Sequence, residues 1–198
     1  MGPVRSIEGC HRMSLLKAGT SLPYTITYLE MRQPPGAAAP VLPEDTRLEQ
    51  AISPPVWYFL ALYDAVGRAY EWQDKHREDP ETLRAFVQHP QVELRTLLKD
   101  GWPQGFFQLD FRKPGVCDLA YFGMVPEAVG KGLGGLLLKT AIAIGWAGAG
   151  VEKMTVNTCT LDHPRALGLY QSAGFVPVRT VERTCILTRD RDPSRFPV

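Results

Sequence analysis

The chain has no apolar run approaching the ~20 residues that a membrane-spanning helix needs, so no helical span is expected in it. It opens with no charged-then-apolar leader, and a cytoplasmic location is the expectation that follows. Charge of one sign is missing as well. Lys and Arg number 22 against 21 Asp and Glu, a formal net charge of +1, with no dense Lys/Arg cluster. That balance lacks the electrostatic footprint of a nucleic-acid-binding protein. Cysteines are few, and Cys10, Cys117, Cys159 and Cys185 stand singly, without the close spacing of a zinc motif. Reduced core thiols and no metal site are expected. There is no internal repeat. The 198 residues, 44% of them hydrophobic, suit one domain with a full core and are short for two. A single domain over 1–198 is therefore expected, with the poorly patterned residues 1–22 as a mobile arm.

What is present is a mixed order of strands and helices. Tyr24 to Met31 alternates as a strand, and the Pro- and Gly-rich stretch 33–43 reads as a loop. An aromatic helix over Trp57 to Tyr63 is entered through Ser53-Pro54-Pro55, since proline suits a first helical turn. A second helix is expected over Pro80 to Val87 with Asp79 as its cap. Strands follow at about Val92–Lys99, Gly105–Arg112 and Cys117–Val125, joined by turns at Asp100-Gly101 and Lys113-Pro114-Gly115. A helix from Leu133 to about Trp146, a strand Lys153–Cys159, a helix begun near Pro164 and a strand near Phe175–Leu187 complete the pattern.

The segment that carries chemistry runs from Tyr121 to Gly135. An apolar strand enters a glycine-rich turn, and a long apolar helix follows at once. Unpaired backbone N–H groups and the positive end of a helix dipole then meet at a turn with almost no side-chain bulk, which suits a phosphate or pyrophosphate. Spacing decides among the families that use such turns. A Walker loop needs Gly-Lys-Ser/Thr, but Gly130-Lys131 is followed by Gly132, and Val125 stands where its first glycine belongs. The glycines at 130, 132 and 134 also miss the G-x-G-x-x-G spacing of a dinucleotide fingerprint.

Val129-Gly130-Lys131-Gly132-Leu133-Gly134 resembles the acyl-CoA-binding motif Gln/Arg-x-x-Gly-x-Gly/Ala of the GNAT N-acetyltransferase superfamily. Val129 replaces the customary Gln or Arg, so any side-chain contact from that position is lost. A second segment matches in the family's order. Ala166-Leu167-x-x-Tyr170-x-x-x-Gly174-Phe175 resembles the GNAT signature of a tyrosine-bearing helix, a glycine stop and an aromatic opening the next strand. Ala166, Leu167 and Tyr170 share a helical face, and Gly174 is placed for a left-handed cap. The resemblance covers roughly 91–187. It implies a GNAT-like α/β fold, an α+β mixed sheet that is mostly antiparallel, twisted and flanked by helices.

The resemblance also implies a function, direct transfer of an acetyl group from acetyl-CoA to a primary amine. Phe122, Gly123, Met124 and Val125 hold the family's splayed-strand position, where backbone groups pair with the pantetheine arm. Val129, Gly130, Lys131, Gly132, Leu133, Gly134 and Gly135 form the pyrophosphate loop. Tyr170 occupies the family's general-acid position near the CoA sulfur, and its other reading is a packing tyrosine. Asp118 falls where some members carry the base, one methylene shorter here, so that a water relay fits better than direct contact. Its other reading is a carboxylate near the strand start after a turn, and Glu30 is a weaker alternative base. His163 stands where relatives have an asparagine that meets the CoA arm, and is read as a cofactor contact. Asp162 is read as the cap of the following helix. The acceptor, a small-molecule or peptide amine, is assigned to the region 34–78. Trp57, Tyr58, Tyr63, Tyr70 and Trp72 make that region aromatic, and Glu71, Asp74, Glu78 and Asp79 beside them make it partly acidic, although helical spacing turns most of the aromatics to the core. A non-catalytic acyl-CoA sensor and a partner-binding α/β domain stay open as alternatives, and an exposed edge strand would allow a homodimer.

Overall fold

The computed structural model describes residues 15–36 and 39–192. Among them seven strands form one sheet: β1 (Ser21–Met31), β2 (Thr46–Ala51), β3 (Val92–Lys99), β4 (Trp102–Asp110), β5 (Val116–Met124), β6 (Lys153–Cys159) and β7 (Val176–Ile186). Their order across the sheet is β2-β3-β4-β5-β6-β1-β7. Every neighbouring pair is antiparallel except β5 and β6. The helices are α1 (Val56–Gly67), α2 (Asp74–Arg77), α3 (Pro80–Val87), α4 (Leu133–Ala147) and α5 (Ala166–Ser172). This is the mixed, mostly antiparallel sheet with flanking helices that the family resemblance implied.

Local chemistry sets the connections. Asp100 and Gly101 both have positive φ, 54° and 82°, the backbone that a tight two-residue hairpin between β3 and β4 demands. The Asp79 side chain accepts from Thr82 N–H at 3.0 Å and so caps α3 as expected. β5 and β6 are parallel and cannot share a hairpin; the crossover between them is α4.

The sheet separates two cores. On adjacent positions of β4, Phe106 and Phe107 are both fully buried but enter opposite clusters, as the period-two alternation of a strand requires. Phe107 joins Leu137, Leu138, Met154, Val156 and Phe175 beneath α4 and α5. Phe106 joins Phe59, Tyr63, Val66 and Phe86 beneath α1 and α3.

Several boundaries differ from the pattern. β2 was not expected; its Leu48 and Glu49 pair with Leu97 and Thr96, and it forms one edge of the sheet. β4 begins at Trp102, before Pro103 and Gly105, because a bulge at Leu97/Leu98 absorbs the irregularity. The arm expected at 1–22 lies outside the described residues up to position 14. From Leu16 onward the chain is tied down: Leu16 and Arg191 exchange backbone hydrogen bonds at 2.8 Å each way, and β1 starts at Ser21. Cys117, Cys159 and Cys185 are unpaired thiols, and burial pushes Cys117 and Cys159 up to about 12. Cys10 lies outside the described residues.

Candidate active site

The parallel pairing of β5 with β6 is short. It comprises Val116 with Lys153, Cys117 with Met154 and Asp118 with Thr155, and then stops. β5 stays bonded to β4 out to Met124, and β6 stays bonded to β1 out to Cys159, so the sheet opens between them as a wedge. The cause lies on β5. Gln108 faces Tyr121 while Leu109 faces Leu119, which leaves Ala120 as an extra residue that turns the strand. Beyond Asp118 the β5 edge that faces β6 has no strand partner among the described residues, and its peptide groups are available to an extended ligand. A cavity of about 300 Å³ fills the wedge, walled by Phe122, Gly123 and Met124 on one side and Asn157 and Thr158 on the other.

The glycine loop closes the wide end. A single 3-10 turn, Pro126–Ala128, leads to Gly130 and Gly132, both left-handed with φ of 81° and 78°, and α4 starts at Leu133. No side chain caps α4 and no acidic residue stands in its first turn. Its leading N–H groups and the positive end of its dipole are thus left for an anion. Gly134 and Gly135 add a second observation. A Cβ at Gly135 would meet nothing within 4 Å, and one at Gly134 only Met124 Cγ at 3.5 Å. Glycine costs about 0.5–1 kcal/mol against alanine within a helix, and no protein atom there requires it. Open space at the mouth of a cavity is what the two glycines preserve.

Tyr170 reaches the same cavity from α5. Its ring meets Phe122 and Phe175 edge-on, each with centroids 6.1 Å apart. Burial, and then the charge of Asp162, raise its phenol well above the usual tyrosine range and keep the hydroxyl protonated. Gly174 has φ of 105°, and Phe175 N–H returns to Tyr170 O at 3.1 Å, which closes the helix as the sequence implied.

The sequence profile of the acetyltransferase (GNAT) family matches residues 57–175, more than half of the chain. The chain belongs to the GNAT family. No curated protein matches it. Among solved structures it is similar to a Drosophila protein at 15% identity and a TM-score of 0.61, covering 87% of this chain and 54% of that one. A GCN5-related N-acetyltransferase from Sphaerobacter thermophilus aligns at 15% identity and 0.57, over 92% of this chain and 56% of its own. An aminoglycoside acetyltransferase from an uncultured soil metagenomic sample, in complex with sisomicin, aligns at 14% and 0.52, over 65% and 87%. At these identities the likeness is one of fold. The chain spans little more than half the length of the first two.

Within this GNAT fold the expected site residues separate into two groups. Phe122, Gly123, Met124, Val129, Gly130, Gly134, His163 and Tyr170 all line the wedge. Val125 and Leu133 do not; both are buried, Val125 in the cluster under α1 and Leu133 in the one under α4. Lys131 and Gly132 are exposed outside the cavity lining, and Gly135 is half-buried beside it. Gly123 is also a close-packing site, since a Cβ there would overlap Val66 Cγ1 of α1. Gly123→Ala is expected to cost about 1–3 kcal/mol, the usual range for overpacking. Thermal melts of the two proteins check it.

Asp118 stands at the apex of the wedge but outside the cavity lining, where its carboxylate accepts from Thr155 Oγ1. Burial raises its carboxyl above the usual range against the opposing pull of that hydrogen bond. Glu30 is bound to Lys153 and Arg32, both at 2.6 Å, and the Lys153 ammonium holds its carboxyl low. It is away from the cavity.

His163 is held by its neighbour: Nδ1 accepts from Arg165 N–H at 3.1 Å. In the neutral ring that leaves the proton on Nε2, which is buried and, among the described residues, has no hydrogen-bond partner. Asp162 does not cap α5, which corrects the sequence reading. α5 begins at Ala166, too far on, and the carboxylate instead accepts from Thr158 Oγ1 (2.9 Å), Cys159 N–H (2.8 Å) and Trp72 Nε1–H (3.1 Å). It therefore ties the end of β6 to the segment after α1.

The aromatic region 57–72 splits in the same way. Trp57 is 68% exposed and Tyr63 is fully buried, with its hydroxyl donating to Asp74 at 2.5 Å. Tyr70 and Trp72 reach the cavity, joined there by Tyr121 from β5. Asp162 and Tyr121 were not expected as cavity residues. No spacing in the sequence signals them, because the wall they share with Trp72 is assembled from three distant segments.

Proposed function

We propose that this chain transfers an acetyl group from acetyl-CoA directly to a primary amine, and that the wedge between β5 and β6 ending at the uncapped start of α4 holds the CoA. That one arrangement carries the reading. It offers an unpaired strand edge for an extended amide-bearing arm and, beyond it, the loop 129–135 and its free N–H groups for a pyrophosphate. The amine nitrogen bonds to the thioester carbon, the carbon–sulfur bond breaks, and the sulfur leaves as a thiolate that must take a proton. We assign that proton to Tyr170, which lines the same cavity. The buried Nε2–H of His163 donates to the CoA arm, a contact that meets an otherwise unpartnered donor.

The acceptor is a small-molecule or peptide amine that enters beside Tyr70, Trp72 and Tyr121. Aromatic faces together with the Asp162 carboxylate suit an ammonium group. Asp118, at the apex, serves as the far end of a water relay that takes the amine's proton, and its raised carboxyl is suited to a base. A reducing, cytoplasmic setting agrees with the unpaired cysteines. β7 forms the other edge of the sheet and exposes Val176 and Val178, and a second copy of the chain is the partner we assign to it. Among the described residues no helix is long and apolar enough to cross a membrane.

The test is release of free thiol from acetyl-CoA against a library of amines. Turnover with some amine supports the reading; binding of acetyl-CoA without turnover on any amine points to a sensor. Asp118→Asn gives a paired readout. A carboxyl raised in the folded state binds protons that the unfolded chain has released, so wild-type stability grows as pH falls through the folded value toward the ordinary one near 4. The asparagine amide carries no charge to bury. The variant is expected to melt higher than wild type at pH 7, with the gap closing near pH 4, and to lose about tenfold or more in kcat. A higher melting temperature with unchanged kcat removes Asp118 from the chemistry.

A further inference from the structure

A second cavity, of about 370 Å³, lies against the indole of Trp72, which lines both it and the wedge. Three arginines from separate parts of the chain line it. Arg68 comes from the turn after α1, Arg77 from the end of α2, and Arg189 from the segment after β7. Their partners are few. Among the described residues the Arg68 side chain makes no hydrogen bond or ion pair. Arg77 Nη2 donates only to the neutral amide of Gln73, at 3.0 Å. Among the described residues Arg189 Nη2 is buried without a hydrogen-bond partner and forms a loose ion pair with Glu71 Oε1 at 3.7 Å. Glu71 is shared as well, with Arg191 at 3.8 Å and with Gln73 Nε2, which donates to it at 2.9 Å. Asp64, the carboxylate that does line the cavity, is engaged by His76 Nε2 at 2.6 Å.

Gathering like charges in a concave site is unfavourable unless an anion offsets them. Guanidinium forks match the paired oxygens of a carboxylate or phosphate. We propose that this cavity binds the oxyanion of a small ligand, a carboxylate or a phosphate. The size of the cavity and the chain's net charge of +1 fit a small anion rather than a polyanionic surface. Occupancy has a direct route to the wedge. The Trp72 ring that walls the anion site also donates through Nε1 to Asp162, and it packs on Tyr63 and Tyr121 with centroids 5.3 and 5.4 Å apart. Any effect of the anion on acetyl transfer rests on the function proposed above; binding of the anion does not.

The experiment is titration of the full chain with inorganic phosphate and, separately, with succinate, at constant ionic strength set by chloride. Melting temperature and tryptophan emission are read together. The expected result is a saturable rise in melting temperature with a change in emission from Trp72, both weakened at least tenfold in the Arg68→Gln/Arg77→Gln double variant. Arg68→Lys keeps the charge but loses the fork, and is expected to fall between the two. Saturation by phosphate alone assigns a phosphate ligand, by succinate alone a carboxylate ligand, and by both the shared oxyanion. A wild type that responds to neither, or a double variant that responds as wild type does, overturns the proposal. Acetyl-CoA is titrated in parallel, and the double variant is expected to bind it normally. Failure of acetyl-CoA binding in wild type would count against the wedge reading and leave the anion result standing.

Discussion

Replacing Tyr170 with phenylalanine is expected to lower kcat by about a hundredfold or more, the range in which a positioned acid contributes, and to leave acetyl-CoA affinity nearly unchanged. The ring is what α5 packs with: it meets Phe122 and Phe175 in T-shaped contacts, and phenylalanine keeps both. Only the hydroxyl is lost. Burial raises that hydroxyl above its ordinary range, so it stays protonated throughout the neutral and moderately alkaline range. A raised phenol is a weak acid in water. Burial would make a departing thiolate more basic as well, since it disfavours either anion. Steady-state kinetics with the best amine from the library, beside calorimetry with CoA, check both halves. An unchanged kcat would return Tyr170 to the packing role that its position equally allows.

Gly132→Glu is expected to abolish measurable CoA binding while the protein still folds. Gly132 has φ of 78°, which costs a non-glycine residue about 1–2 kcal/mol, yet a Cβ there meets nothing within 4 Å. The chain therefore accepts a side chain at a modest loss of stability. A glutamate at this position places its carboxylate at the uncapped start of α4, where it competes for the N–H groups and repels a pyrophosphate. Gly132→Asn is the control, because asparagine tolerates the left-handed conformation and carries no charge. Thermal shift with acetyl-CoA separates them: wild type and Gly132→Asn respond with concentration, and Gly132→Glu does not. Equal responses from all three would move the pyrophosphate away from this loop.

How much was legible depended on the range of the interaction. β3 and β6 run over the residues expected from the sequence, and α3 with its Asp79 cap follows from a proline, an acid and a short apolar face. Such signals are local. β2 was missed because TRLEQA is polar on most positions, and only pairing with β3 makes it a strand. Asp162 was misread for a related reason. Its place before His163-Pro164 suits a helix cap, but its partners include Trp72, ninety residues away in the chain.

The sequence by itself determined the family, the glycine loop and the tyrosine helix, because each is written in contiguous residues whose backbone needs are local. The left-handed turns at Gly130, Gly132 and Gly174 favour glycine whatever surrounds them. Tertiary structure alone decided where those pieces meet. The bulge at Ala120 ends the β5–β6 pairing at Asp118 and opens the wedge, and that depends on strand register across three strands. It also decided which carboxylate faces the cavity, and it drew Arg68, Arg77 and Arg189 around a second one. Charge and hydrogen-bond partners gathered from distant segments leave no periodicity in a sequence, and only the folded chain brings them within reach of one another.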